Sequence, residues 1–169
     1  MSTWQQKLVL LAKDKYLSEY SPEYIAPYSP SPLPLITQVI TKLSLTSFDV
    51  VYDLGCGDGR WLFYIVNNTL CQNVVGIELN ITLINDIQHR IEEEGIQNKI
   101  NIVREDLWKT NIGAATVIIL YAFMNLQELK IHLQTSVQQH CKIVSVGVRP
   151  FIIIILTKEK SPVSLVSNS

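Results

Sequence analysis

The sequence predicts an α/β domain built on a doubly wound parallel sheet, and three observations predict it. Short β-type apolar runs alternate with segments of helical period. One run, Val50 to Leu54, feeds three alternating glycines, Gly55, Gly57 and Gly59, and a helical pattern resumes at Arg60. Other runs, Ala115 to Tyr121 above all, are apolar throughout, as strands buried on both faces are. With 169 residues, 47% hydrophobic and 17% charged, the chain suits one domain with a substantial core. A net charge of −1 gives no general basic surface, so no unspecific affinity for nucleic acid is expected.

The elements follow in order. Residues 1–20 read as a helix, with Trp4, Leu8 and Leu11 on one stripe. Residues 21–34 carry five prolines (Pro22, Pro27, Pro30, Pro32 and Pro34), which rule out a helix and fix an extended path. The same segment carries Tyr24, Ile25 and Tyr28, so it suits a lid over a pocket or a strap over the core. The main domain is expected over 35–156. It opens with a helix from Leu35 to Leu45, whose stripe is Leu35, Ile36, Val39, Ile40 and Leu43. The first strand and the glycine loop come next, then a helix from about Arg60 to Asn67. A second strand covers Asn73 to Leu79. Asn80 can cap the following helix, whose stripe is Leu83, Ile84, Ile87 and Ile91, and Gly95 suits its C-terminal end. Further strands are expected at Lys99 to Arg104, Ala115 to Tyr121 and Lys142 to Val146, with a helix from Met124 to Gln138 before the last. A polar tail fills 157–169.

The glycine loop ends at a helix N-terminus, where free N–H groups favour polar or anionic ligands. Its spacing is Gly-x-Gly-x-Gly, not the Gly-x-Gly-x-x-Gly of a nicotinamide fingerprint. Asp53 stands two residues before the first glycine. A carboxylate there repels a pyrophosphate but can hold an ammonium group. That favours S-adenosylmethionine, which has an α-ammonium and no phosphate, over a dinucleotide. A glycine turn that only packs strand on helix is the competing reading. Glu78 closes the second strand, 25 residues after Asp53, where an acid can take two ribose hydroxyls. Asp106 follows the third strand. It can accept the exocyclic amine of adenine, while the Leu107 N–H reaches a ring nitrogen and Leu107 or Trp108 packs on the purine face. An acid that only caps a turn rivals that reading of Asp106.

The chain resembles the class I, Rossmann-like, S-adenosylmethionine-dependent methyltransferases over about residues 22–146. Within that class it is most similar to the small seven-strand protein lysine methyltransferases. These include an archaeal enzyme and the mitochondrial enzymes that modify the adenine nucleotide translocase and the ATP synthase c subunit. The resemblance is carried by Ala-Pro-Tyr-Ser-Pro-Ser-Pro at 26–32, Val-Tyr-Asp-Leu-Gly-Cys-Gly-Asp-Gly-Arg at 51–60, Val-Gly-Ile-Glu-Leu-Asn at 75–80, and Ala-Thr-Val at 115–117 leading to Tyr121 and Asn125. It implies a cofactor site of Tyr28, Asp53, Gly55, Cys56, Gly57, Gly59, Glu78, Leu79, Asp106 and Leu107, with S-adenosylhomocysteine as product. Leu-Tyr-Ala-Phe-Met-Asn at 120–125 is not the Asn/Asp-Pro-Pro-Tyr of base-modifying enzymes. Tyr121, Phe123 and Asn125 are therefore candidates for a channel that takes a lysine stem, and a core role for Tyr121 stays open. No residue stands out as a general base, and the catalytic residue is unassigned.

The class ends with a helix and an antiparallel strand pair, but only 23 residues follow Val146. They hold one expected strand, Phe151 to Leu156. Gly147-Val148-Arg149-Pro150 does not match the family pattern. The C-terminal strand pair is thus expected to be incomplete, leaving an open sheet edge that a second copy could cover. The leading function is transfer of methyl groups to a lysine of a protein substrate. A cofactor-binding or partner-binding module with an impaired substrate side is the alternative, and a small-molecule or RNA methyltransferase is a third reading. Three cysteines without Cys-x-x-Cys spacing argue against a disulfide framework or a metal site. The longest apolar run is too short for a transmembrane span. A cytoplasmic location is expected. A mitochondrial one is the alternative, since the first thirteen residues hold two lysines and no acid.

Overall fold

The computed structural model describes residues 29–121, 133, 136, 137, 140–146 and 153–157. The helix expected over 1–20, Tyr28 with the first part of the proline segment, Phe123, Asn125, most of the helix expected over 124–138, Gly147 to Pro150 and the tail from 158 lie outside the described residues.

The first described helix, α1 (Leu33–Leu43), starts two residues earlier than its hydrophobic stripe suggested and takes in Pro34. The proline segment is therefore not extended to its end. Proline in a first helical turn forfeits only an N–H that has no intrahelical partner. The helix stops at Ser44, which adopts φ 50, and its buried face is the predicted one: Leu35, Ile36, Val39, Ile40 and Leu43.

The remaining elements are β1 (Val51–Leu54), α2 (Arg60–Asn68), β2 (Val74–Glu78), α3 (Ile81–Glu94), β3 (Ile100–Arg104), β4 (Val117–Tyr121), β5 (Lys142–Val146) and β6 (Ile153–Thr157). The caps of α3 are those the sequence signals. Asn80 Oδ1 accepts from the N–H groups of Thr82 and Leu83, and Gly95 turns left-handed at φ 66. Leu83 is only half-buried, so the inner stripe of α3 is Ile84, Ile87 and Ile91. Arg90 lies 3.7 Å over the ring of Phe63 and ties α3 to α2.

One sheet in the order β3-β2-β1-β4-β5-β6 holds these strands. The first five are parallel, and β6 runs antiparallel to β5 with Lys142 opposite Thr157 and Val146 opposite Ile153. Among the described residues, one antiparallel strand thus stands where the class has a pair. It also occupies the edge of β5 that the sequence left open, so the outer edge belongs to β6. The segment after β5 supplies that strand because a five-residue antiparallel partner needs no crossover helix, only a connection long enough to reverse the chain.

Two cores flank the sheet. On one face, α1, α2 and α3 pack against Val51, Val74, Ile100, Val117 and Val144. On the other, Leu54, Val75, Ile77, Ile118 and Ile143 pack with Ile112, Leu133 and Val137. The strand order reverses between β1 and β4, and the crevice beyond the carboxyl ends of those strands is where such folds bind ligands.

Candidate active site

The glycine loop leaves β1 at that reversal point. Gly55, Gly57 and Gly59 adopt φ of 85, 58 and 73, a left-handed backbone that residues with a Cβ reach only at a cost. Gly59 is also the N-cap of α2, and a Cβ there would lie 3.1 Å from Ile87 Cγ1 and Phe63 Cε2. The Ile77 carbonyl accepts from both the Gly55 N–H (2.9 Å) and the Cys56 N–H (3.0 Å), which fixes the loop to β2. Among the described residues, a Cβ at Gly55 would meet nothing within 4 Å, which leaves that side of the loop clear. Cys56 points inward and is 4% exposed.

Asp53 lies beneath this loop, 1% exposed, and its Oδ2 has no hydrogen-bond partner among the described residues. Burial, then the neighbouring Glu78 and Asp58, push its carboxyl up to about 8. Glu78 closes β2 and faces the loop. Its Oε2 accepts the Gly57 N–H (2.9 Å), and its Oε1 accepts the N–H groups of Leu79 (2.8 Å) and Asn80 (2.9 Å). Three of the roughly four acceptor positions of a carboxylate are thus taken by the chain itself, and the remaining one lies on Oε2. A diol that engaged both oxygens would share Oε2 with Gly57 and compete with Leu79 and Asn80 for Oε1.

Asp106 behaves in this structure as a turn cap. Its Oδ1 accepts the Trp108 N–H (3.0 Å), and its carbonyl accepts from Lys109 and Thr110. Leu107 and Trp108 are half-buried against the core of the second face. Arg104 joins the ends of β3 and β2 by donating to the Leu79 carbonyl at 3.3 Å. The acids therefore stand at three adjacent strand ends, β1, β2 and the turn after β3, as their sequence positions indicated.

The sequence reading offered the proline segment as a lid or a strap but did not find its anchors. The described end of the proline segment, Ser29 to Pro32, straps across the mouth of the loop. Arg60 binds the Asp58 carboxylate through Nε (2.9 and 3.1 Å) and Nη2 (2.5 Å), and its Nη1 donates to the Ser31 carbonyl at 2.8 Å. Trp61 Nε1 donates to the buried Ser31 hydroxyl at 2.8 Å. At the other side, the Tyr121 phenol at the end of β4 lies beside the Ser29 side chain. Burial raises that phenol above its ordinary value, against the opposing pull of Ser29 and Arg60. Tyr121 packs on the helical-face core, so it joins core and strap together. Arg60 and Trp61 directly after the glycines were the available signal for this strap.

Comparison with known proteins agrees with this geometry. The family model of the ANTKMT methyltransferase domain matches residues 53–148. A protein-lysine N-methyltransferase of Saccharolobus islandicus (strain REY15A) is 30% identical over 120 residues, which span 70% of this chain and 74% of that protein. Among solved structures, an RNA methyltransferase from Salinibacter ruber in complex with S-adenosyl-L-homocysteine aligns with a TM-score of 0.65 and 28% identity, covering 69% of this chain and 76% of the other. A dimethyladenosine transferase from Plasmodium falciparum aligns with a TM-score of 0.62 at 19% identity over 71% of this chain and 43% of the other, a likeness of fold alone.

Proposed function

The chain belongs to the ANTKMT methyltransferase domain family, and from that premise we propose that it transfers methyl groups to a lysine side-chain amine of a protein substrate. It is an S-adenosylmethionine-dependent methyltransferase with the class I fold. The observation that carries the cofactor assignment to residues is the buried, unpartnered Oδ2 of Asp53 below an open glycine loop. A pyrophosphate would meet three carboxylates there, whereas an α-ammonium would find one without a counterion. The residues present therefore fit this cofactor.

In this reading Asp53 holds the ammonium, directly or through water. The loop from Gly55 to Gly59, with Cys56 packed beneath, lies along the amino-acid portion. Glu78 takes a ribose hydroxyl, and Leu79 flanks the ribose. Asp106 and the Leu107 N–H address the adenine edge, which requires the Asp106 carboxylate to serve its turn and the ligand together. Tyr121 is the described candidate for the lysine side; Phe123 and Asn125 are proposed with it, and Tyr28 for the cofactor, all three outside the described residues. The bound cofactor supplies a methyl group on an already activated sulfonium. The chain has to position the amine in line and present it neutral. A lysine with a reference pKa of about 10.4 loses its proton more readily in an apolar channel, because desolvation disfavours the ammonium.

The lysine assignment is supported by the archaeal lysine methyltransferase relative. RNA, the substrate class named for the Salinibacter structure, is disfavoured by the net charge of −1. The three cysteines are free and buried, in keeping with a reducing compartment and a cytoplasmic location. No helix among the described residues is long and apolar enough to cross a membrane. Pairing of two copies along the outer edge of β6 would give a dimer, which sedimentation would detect.

Calorimetric titration with S-adenosylhomocysteine, with NAD as control, comes first, followed by transfer of labelled methyl to lysine-bearing proteins and to RNA. Saturable binding of S-adenosylhomocysteine alone and label on lysine are expected, with binding weakened and transfer lost in Asp53→Asn and Glu78→Gln. Transfer that survives both substitutions would overturn the residue assignment. Binding without transfer would instead support a cofactor-binding module.

A further inference from the structure

Every described group around Asp53 fails to neutralise it. From β2, Glu78 is itself an acid and already accepts three amide N–H groups. From the loop, Asp58 is an acid bound to Arg60. The Arg60 guanidinium divides itself between Asp58 and the Ser31 carbonyl. The Cys56 thiol from the same loop is kept protonated by burial first, then by Asp53 and Glu78. From β4, the Tyr121 phenol is raised, chiefly by burial. The described part of the strap, Ser29 to Pro32, carries no charged side chain. A carboxyl 1% exposed, with an oxygen lacking a partner among the described residues, favours the neutral acid.

Resting on the cofactor assignment above, we propose that Asp53 is a proton-exchanging seat, holding a proton in the free protein and releasing it to solvent when the cofactor's α-ammonium arrives. The step balances simply. The neutral carboxyl and the ligand's ammonium become a carboxylate–ammonium pair, and one proton leaves for the buffer. No bond to carbon or sulfur changes. Cofactor capture is thereby linked to pH, and the seat discriminates for an unmodified α-amine. A ligand without that amine leaves the proton in place.

The linkage has a definite size. Burial together with Glu78 and Asp58 sets the Asp53 carboxyl at about 8. In the free state at pH 7 it is then about nine-tenths protonated, so binding releases on the order of 0.8 protons once the partial ionisation of an α-amine near 7.7–8.0 is included. The dissociation constant falls about tenfold between pH 6 and pH 7. Above about pH 8 affinity declines again as the ligand amine loses its own proton.

The test is calorimetric titration of the full chain with S-adenosylhomocysteine at pH 7, in phosphate and in Tris, whose ionisation enthalpies differ. A parallel pH series with 5′-methylthioadenosine, which lacks the amino-acid portion, serves as control. Expected are a buffer-dependent enthalpy equivalent to release of about 0.8 protons, the tenfold affinity gain from pH 6 to 7, and neither effect for methylthioadenosine. Asp53→Asn should bind S-adenosylhomocysteine more weakly and without proton release, and its fold is checked by circular dichroism. Saturable binding with a buffer-independent enthalpy and a flat profile between pH 6 and 8 would overturn the proton exchange and leave the cofactor assignment standing. Absence of any binding heat in either buffer would overturn both.

Discussion

Replacing Gly76 with alanine should both destabilise the protein and loosen the cofactor loop. Gly76 lies in the middle of β2, opposite Asp53 on one side and Ile102 on the other. A Cβ there would stand 2.7 Å from Leu62 Cδ1, 2.8 Å from Cys56 Sγ and 3.0 Å from Ile102 Cδ1. Each contact is short of ordinary van der Waals separation by roughly 0.5–1 Å. Leu62 is 0% exposed, so any shift of its side chain has to be taken up within the core. Overpacking of this kind costs about 1–3 kcal/mol, offset by about 0.4–1 kcal/mol from the stiffer unfolded chain. A net loss of about 1–2 kcal/mol should lower Tm by roughly 2–8 °C in a chain of this size. Because Cys56 belongs to the loop, part of the strain is relieved by moving the site, so S-adenosylhomocysteine affinity should fall as well. Urea denaturation of Gly76→Ala, Cys56→Ala and the double variant measures the coupling. Removing Sγ should make the alanine cheaper by at least about 0.5 kcal/mol. Wild-type stability in Gly76→Ala, or strict additivity with Cys56→Ala, would refute the close approach.

Three further outcomes are expected. The Asp53 carboxyl rises from 3.8 to about 8 on folding, so the folded state holds the extra proton in that window. Stability therefore falls as pH rises from about 4 to 8, by at most about 6 kcal/mol, and thermal melts of Asp53→Asn should show a flatter pH dependence and a higher Tm at pH 8. Asn80→Ala removes the oxygen that caps α3 and should cost about 1 kcal/mol in denaturant titrations, with Asn80→Asp close to wild type. Ser31→Ala leaves the buried Trp61 indole N–H without its acceptor and should cost about 1–3 kcal/mol, with a shift in tryptophan fluorescence reporting the altered strap.

What the sequence made legible was local. Asn80 and Gly95 announce the ends of α3 because capping needs only neighbours in the chain. The glycine triplet reads as a loop because its backbone demands positive φ at alternating residues. Asp53 and Glu78 fall at strand ends because uninterrupted apolar runs locate those strands to within a residue or two. Three features were not legible in the same way. Pro34 reads as a helix breaker until its place in a first turn is known. Ser31 and Trp61 meet across 30 positions, and nothing local predicts that contact. The crowding at Gly76 comes from α2, the loop and β3 together, so it exists only once the sheet is assembled. Asp106 lies between these cases: its place was clear, but its carboxylate is engaged by its own turn.

The double use of the Ile77 carbonyl by Gly55 and Cys56 has a consequence for how the protein breathes. Those two amides hang from β1, the strand flanked by β2 and β4 near the middle of the sheet, and the residues before them are buried. Their hydrogen exchange should then track global unfolding, with protection matching that of Val51 to Leu54. A ligand arriving at such a loop meets a surface already in register and forfeits little backbone entropy on capture.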